Sequence, residues 1–224
     1  MRLSSVTFDL DGTLLDTATD LLTACNRMLA ELDRPPRAEA EIRRFVGTGA
    51  ETLVERCLTR ENMIPSETEI ADGVAIFRRC YREENGRTAK PFPNVLAGLA
   101  AWQASGLPLA VVTNKNMDFT MPLLEQTGLA RFFTVVIGGD STPCKKPHPE
   151  PIFAACRQMG AIPAENLHIG DSINDVRAAR AAGSLAWLVP YGYTEGRPID
   201  GTDCDRLVAD LLEAFRAFAR AFPR

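Results

Sequence analysis

The alternation of apolar and polar positions divides the chain into three unequal stretches. Val6-Thr7-Phe8 reads as a short buried strand, and it runs directly into Asp9-Leu10-Asp11-Gly12-Thr13. Between residues 17 and 85 the apolar positions recur at three-to-four spacing instead. Leu21, Leu22, Cys25, Met28, Leu29 and Leu32 predict one helix, capped by Asp16 or Thr17 and stopped by Pro35-Pro36. Ile42 to Val46, then Leu53, Val54 and Leu58, then Val74 to Tyr81 continue the helical pattern, and no strand pattern interrupts it. Gly86 and Pro91-Phe92-Pro93 mark the way out of this block.

Beyond them the period switches back and forth. Strands are predicted over 107–113, 134–137, 166–170 and 184–189, and helices over 96–102, 118–126, 150–159, 173–182 and 205–218. Alternation of this kind predicts an α/β fold, a doubly wound (Rossmann-like) parallel sheet covered on both faces. The helical block reads as a separate, all-helical unit inserted after the first strand. The expected division is 1–15 with 87–224 as the core, and 16–86 as the helical insert.

Composition narrows the partners. A net charge of -4 gives no general affinity for nucleic acid or an anionic membrane. No apolar run is long enough to span a bilayer, and no basic-then-apolar leader opens the chain. The six cysteines form no Cys-x-x-Cys pair, so they read as reduced, mostly buried thiols of a cytoplasmic protein. The expected assembly is a monomer or homodimer.

Polar residues then appear where the strand patterns end. Asp9 and Asp11 follow the first strand and are expected to project to one side, where two carboxylates repel unless a metal ion or a proton lies between them. The plainer alternative is an Asp-Gly turn. Thr113-Asn114-Lys115 follows the second; its hydroxyl and backbone N–H groups suit a phosphate oxygen or, equally, a helix cap. Lys145 and Lys146 precede three prolines at alternate positions, which fix a point charge for an anion or merely expose a basic pair. His148 reads as a loop residue and His168 as a packed core histidine. Asp171 and Asp175 straddle a strand end and a helix start; one cap does not need both, and hard oxygen ligands suit Mg²⁺.

Asp-Leu-Asp-Gly-Thr, Val-Thr-Asn-Lys, Lys-Lys-Pro and Gly-Asp-Ser-x-Asn-Asp, in that order, resemble the four motifs of the haloacid dehalogenase superfamily. The second aspartate of the first motif resembles the phosphatase branch, and the all-helical insert 16–86 resembles the small cap domain of that branch. The likeness to bacterial phosphoglycolate phosphatases is narrower. Phe45-Val46-Gly47-Thr48-Gly49-Ala50 with Leu53-Val54-Glu55-Arg56, Val112-Thr113-Asn114-Lys115, and Tyr191-Gly192-Tyr193 carry it, while Thr194 departs from the usual asparagine.

The resemblance implies that Asp9 is a nucleophile forming an aspartyl-phosphate, with Asp11 protonating the leaving oxygen and then activating water. It implies Mg²⁺ held by Asp9, Asp171 and the Asp11 backbone carbonyl, with Asp175 ordering the metal's waters and Asn174 assisting. Thr113, the Asn114 backbone and Lys146 would bind the phosphoryl oxygens. The expected partner is a small phosphorylated metabolite, with 2-phosphoglycolate foremost. Sugar phosphates, nucleotides, pyrophosphate and a sugar-phosphate mutase reaction stand as alternatives. A hydrolytic dehalogenase, which needs no Asp11, and a non-catalytic phospholigand-binding module stand further off.

In the cap, Thr48-Gly49-Ala50-Glu51 reads as a capping box, with Gly47 allowing a close approach. Arg56, seven residues after Gly49, is expected on the same helix face, where a substrate carboxylate would meet it. The competing role for Arg56 is a structural salt bridge.

Overall fold

The computed structural model describes residues 3–61, 63–197, 199–201 and 203–221. Its centre is a six-stranded sheet of β1 (Ser5–Phe8), β4 (Leu109–Val112), β5 (Val135–Ile137), β6 (Asn166–Gly170), β7 (Leu185–Leu188) and β8 (Arg206–Leu207). The spatial order is β5-β4-β1-β6-β7-β8, and every pair in it is parallel. Counted along the chain, these strands lie third, second, first, fourth, fifth, sixth, the doubly wound order that reverses direction beside β1.

Period-two patterning explains why both faces are covered. In β4, Leu109 and Val111 belong to one apolar cluster with Val6, Phe8, Leu167 and Ile169, roofed by α5 (Val95–Ala104), α6 (Met117–Gln126) and α9 (Leu211–Ala221). Ala110 and Val112 belong to the opposite cluster, roofed by α7 (Glu150–Met159) and α8 (Ile173–Ala181). A strand buried on both sides has no polar face, as parallel sheets require.

The segment between β1 and β4 supplies a separate helical layer: α1 (Ala18–Glu31), α2 (Glu39–Phe45), α3 (Ala50–Leu58) and α4 (Glu67–Glu84). Leu21, Met28, Ile42, Val54, Phe77 and Tyr81 form its own core, which two residues from the sheet domain, Phe119 and Tyr193, enter. A short antiparallel ladder links the layer to the core: β2 (Leu15–Asp16) pairs with β3 (Lys90–Pro91), the way in beside the way out. Buried Asp20 of α1 fixes this junction. Its carboxylate accepts hydrogen bonds from the backbone N–H groups of Gly86, Thr88 and Ala89 and from the Thr88 hydroxyl.

Three local expectations change. The helix expected from residue 205 starts at Leu211, because Arg206 and Leu207 first add β8 to the sheet edge beside Trp187 and Leu188. The β2–β3 ladder, two residues a side, is too short for periodicity to register. The Thr48 capping box is absent: Gly49, at φ 102°, occupies the cap position of α3, and the Glu51 carboxylate pairs with Lys145 Nζ at 2.8 Å instead.

Candidate active site

β4, β1 and β6 are neighbours, so the residues after their carboxyl ends converge where the strand order reverses. Asp9 follows β1, Thr113 follows β4 and Asp171 follows β6. Lys146 arrives from the loop after β5, with its Nζ 2.8 Å from Asp9 Oδ1 and 2.6 Å from Asp175 Oδ1. Asp9, Asp171 and Asp175 can each bring one oxygen within 4.8 Å of the other two, and all three are buried.

Each carboxylate is held in a different way. Asp175 Oδ1 takes Lys146 and, at 3.1 Å, His168 Nε2, while Oδ2 accepts from Asp171 N, Ser172 N and Ser172 Oγ. Burial alone would raise its carboxyl, but Lys146 and His168 outweigh that and hold it well below the usual carboxylate range. Asp171 receives Thr13 Oγ1 at 2.8 Å and Tyr193 N at 2.7 Å. Burial, reinforced by Asp175 and Asp9, pushes its carboxyl well above the usual range. Asp9 is pushed up to about 7 by burial, against the pull of Lys146. The backbone was shaped to bring these groups this close. At Gly12, with φ 89°, a methyl group would lie 2.4 Å from Asp171 Oδ2, and at Gly170 it would lie 2.2 Å from Asp175 Cγ.

Three buried carboxylates thus share one lysine and a His168 whose own pKa burial lowers. That deficit of positive charge, in a set of hard oxygen donors, fits a divalent cation. Asp9 and Asp171 are the ligands with capacity to spare, since Asp175 is fully engaged. Mg²⁺ is therefore expected to raise Tm more at about pH 8 than at about pH 5.5, because at the lower pH it must displace protons from Asp9 and Asp171. The sign follows from Asp9: its folded pKa exceeds the unfolded one. In metal-free protein its contribution to stability therefore falls as pH rises from about 4 to about 7, and the cation offsets that loss. Thermal melts with and without chelator would show it; equal gains at both pH values would remove these two residues from the cation site.

The Asp11 side chain is not part of this cluster. It turns into the cleft between sheet and helical layer, where Thr17 Oγ1 donates to Oδ1 at 2.6 Å and Lys115 Nζ lies 2.9 and 3.0 Å from its two oxygens. The cleft is half open to solvent and has a cavity volume of about 50 Å³. Asp9, Asp11, Thr113, Asn114 and Lys115 line one wall, and Leu21, Val46, Leu53, Phe77 and Tyr81 the other. A cleft with charged groups on one wall and apolar side chains on the other suits a small polar molecule.

The predicted residues separate into those brought together and those not. Asp9, Asp171, Asp175 and Lys146 come together, Thr113 lines the cleft with Asp9, and Asn174 is buried in the first turn of α8. Gly47 and Gly49 line the cleft, and buried Thr48 Oγ1 has no hydrogen-bond partner. Arg56 does not reach the cleft. Its Nη1 donates to the Phe45 carbonyl at 2.8 Å, and it lines an outer groove of the helical layer with Arg37, Phe45 and Glu55. The face expected for it presupposed that Gly49 is helical, which it is not.

Other functional contacts escaped the sequence. The Asn114 side chain donates to the Gly47 carbonyl at 2.8 Å and to the Lys146 carbonyl at 2.9 Å, and accepts from Lys146 N, so it joins helical layer and core at the cleft. Tyr193 holds Asp171 through its backbone while its hydroxyl accepts from Thr17 N and donates to Asp16 Oδ1. Val-Thr-Asn-Lys and Gly-Tyr were visible as stretches, but no spacing rule links them to partners this distant.

Comparison with known proteins agrees with this geometry. The family model described as "Haloacid dehalogenase-like hydrolase" matches residues 6–189. The chain is 45% identical to the phosphoglycolate phosphatase of Thiobacillus denitrificans, over 96% of this chain and 95% of that one. It is 40% identical to that of Escherichia coli K12, over 93% and 91%. A crystal structure described as a predicted phosphoglycolate phosphatase from Haemophilus somnus superposes with a TM-score of 0.90 at 32% identity, covering 97% of this chain and 98% of that one.

Proposed function

The chain belongs to the haloacid dehalogenase-like hydrolases and is a phosphatase; from that premise we propose that it hydrolyses 2-phosphoglycolate to glycolate and phosphate. The observation that carries the chemistry is Asp9, buried at the switch point of the sheet between Lys146 and Asp171. The substrate rests on the relatives' names and on a cleft that opens beside Asp9, with Asp11 and Lys115 facing an apolar wall.

In this reading Asp9 attacks phosphorus: a bond forms from its carboxylate oxygen to phosphorus as the bond to the glycolate oxygen breaks. Asp11, facing the cleft, gives that leaving oxygen a proton. It then takes a proton from the water that attacks phosphorus and frees Asp9, releasing phosphate. Lys146, Thr113 and the Asn114 N–H hold the phosphoryl oxygens, where charge spreads in the transition state. Asp9, Asp171 and the Asp11 carbonyl would hold Mg²⁺, which when bound would supply positive charge to the phosphoryl group. Asp175 fixes Lys146, and His168, wedged between Asp175 and Thr7, fixes Asp175.

Phosphate release from 2-phosphoglycolate, hexose phosphates, nucleoside monophosphates and pyrophosphate, with and without chelator, tests the proposal. A preference for 2-phosphoglycolate that chelator abolishes is the expected result; sugar-directed or broad activity would discard the substrate and keep the chemistry. Because Arg56 lies outside the cleft, Arg56→Ala is expected to leave KM for 2-phosphoglycolate within about twofold. A tenfold rise would return Arg56 to substrate binding.

A further inference from the structure

The cleft has charge on one wall only. Lys115 is the single cation among the described residues that line it. Its side chain is 5% exposed, its Nζ pairs with Asp11 and also lies 4.8 Å from the centroid of the Tyr81 ring. Tyr81 comes from α4 in the opposite wall, and its buried hydroxyl has no hydrogen-bond partner. Of the neighbouring lysines, Lys146 lies against Asp9 and Asp175, at the phosphoryl end of the site, and Lys145 pairs with Glu51.

A phosphorylated hydroxy acid brings two anionic groups into this space. Lys146 answers the phosphoryl group, and the second anion needs its own partner away from water. Building on 2-phosphoglycolate as substrate, we propose that Lys115 is the specificity-determining residue, binding the substrate carboxylate, with the Tyr81 hydroxyl as a second donor. An ammonium carries three donors, so Lys115 can serve the ligand while still touching Asp11. Asp11 also keeps the Thr17 hydroxyl and is not left bare when the lysine shifts. The competing role, Lys115 as a support for Asp11 alone, would affect every substrate alike.

That difference is measurable. Ethyl phosphate carries a methyl group where 2-phosphoglycolate carries its carboxylate. The ratio of kcat/KM for the two substrates is expected to fall on the order of 100-fold in Lys115→Met, and to recover in large part in Lys115→Arg. Tyr81→Phe should lower the same ratio by less. Where turnover is too slow to read, equilibrium binding of both compounds to Asp9→Asn with and without Lys115→Met gives the equivalent ratio. If the ratio survives in Lys115→Met, the assignment of Lys115 is wrong while the substrate stands. If the unmodified protein shows no preference for 2-phosphoglycolate over ethyl phosphate, it is the substrate that fails.

Discussion

Asp9→Asn is expected to lower kcat by more than about 10⁴-fold while leaving Tm unchanged or higher. The two halves of that result have one cause. The carboxylate is held where burial and Asp175 disfavour its charge, so that its carboxyl rises to about 7. Asparagine keeps the shape and removes the unfavourable charge. Lys146 does not lose its counterion, because Asp175 remains 2.6 Å away. The amide has no anionic oxygen to attack phosphorus, and no second carboxylate of the cluster stands in for it: Asp175 is fully hydrogen-bonded, and Asp171 accepts from Thr13 and Tyr193. Steady-state kinetics beside thermal melting of the same preparation decide it. Residual activity above about 1% would mean that Asp9 is not the nucleophile.

Lys146→Met should fail in both respects. Its ammonium is the cation that Asp9 and Asp175 share, and those two anions hold it protonated against its own burial. Removing it leaves buried charge uncompensated, a loss of about 3–5 kcal/mol, which for a chain of this size lowers Tm by roughly 10 °C. Activity should fall by about 10²–10³-fold from the lost contact to the phosphoryl oxygens. Adding Asp175→Asn to Lys146→Met removes one of the stranded charges, so the double variant should regain several degrees of Tm and none of the activity. If the single substitution leaves Tm in place, the lysine is not what balances these carboxylates.

Much of this site was legible because a buried parallel strand tolerates few polar residues. Asp9, Thr113 and Asp171 stand out where apolar runs stop, and the sheet order then brings those ends together. Asp175 stood out as one carboxylate too many for a helix cap. What periodicity cannot supply is the neighbour across a gap. Lys115 and Asp11 are separated by 104 positions, and nothing in either stretch announces the pairing. Arg56 shows the opposite error. A face assigned by counting seven residues from Gly49 holds only if the helix includes Gly49, and a backbone at φ 102° places it outside. Thr48 followed the letter pattern of a capping box, yet Glu51 was drawn to Lys145, a competitor that local sequence does not reveal. The two shortest ladders, β2–β3 and β7–β8, lie below the length at which alternation carries information.

The β2–β3 ladder bears on how such a protein can be taken apart. The chain departs from the core at Asp16 and rejoins it at Lys90, and those two residues face each other across one rung, about 5 Å apart. Everything between them is a detour that begins and ends at the same spot. A two-residue hairpin turn would bridge that gap without moving β1 or β4, and a foreign helical layer could be spliced in at the same joint. The helical layer, Tyr81 included, is thus a piece that recombination can exchange while Lys115 and the carboxylates stay with the sheet, and Phe119 and Tyr193 are the surfaces that any replacement would have to cover.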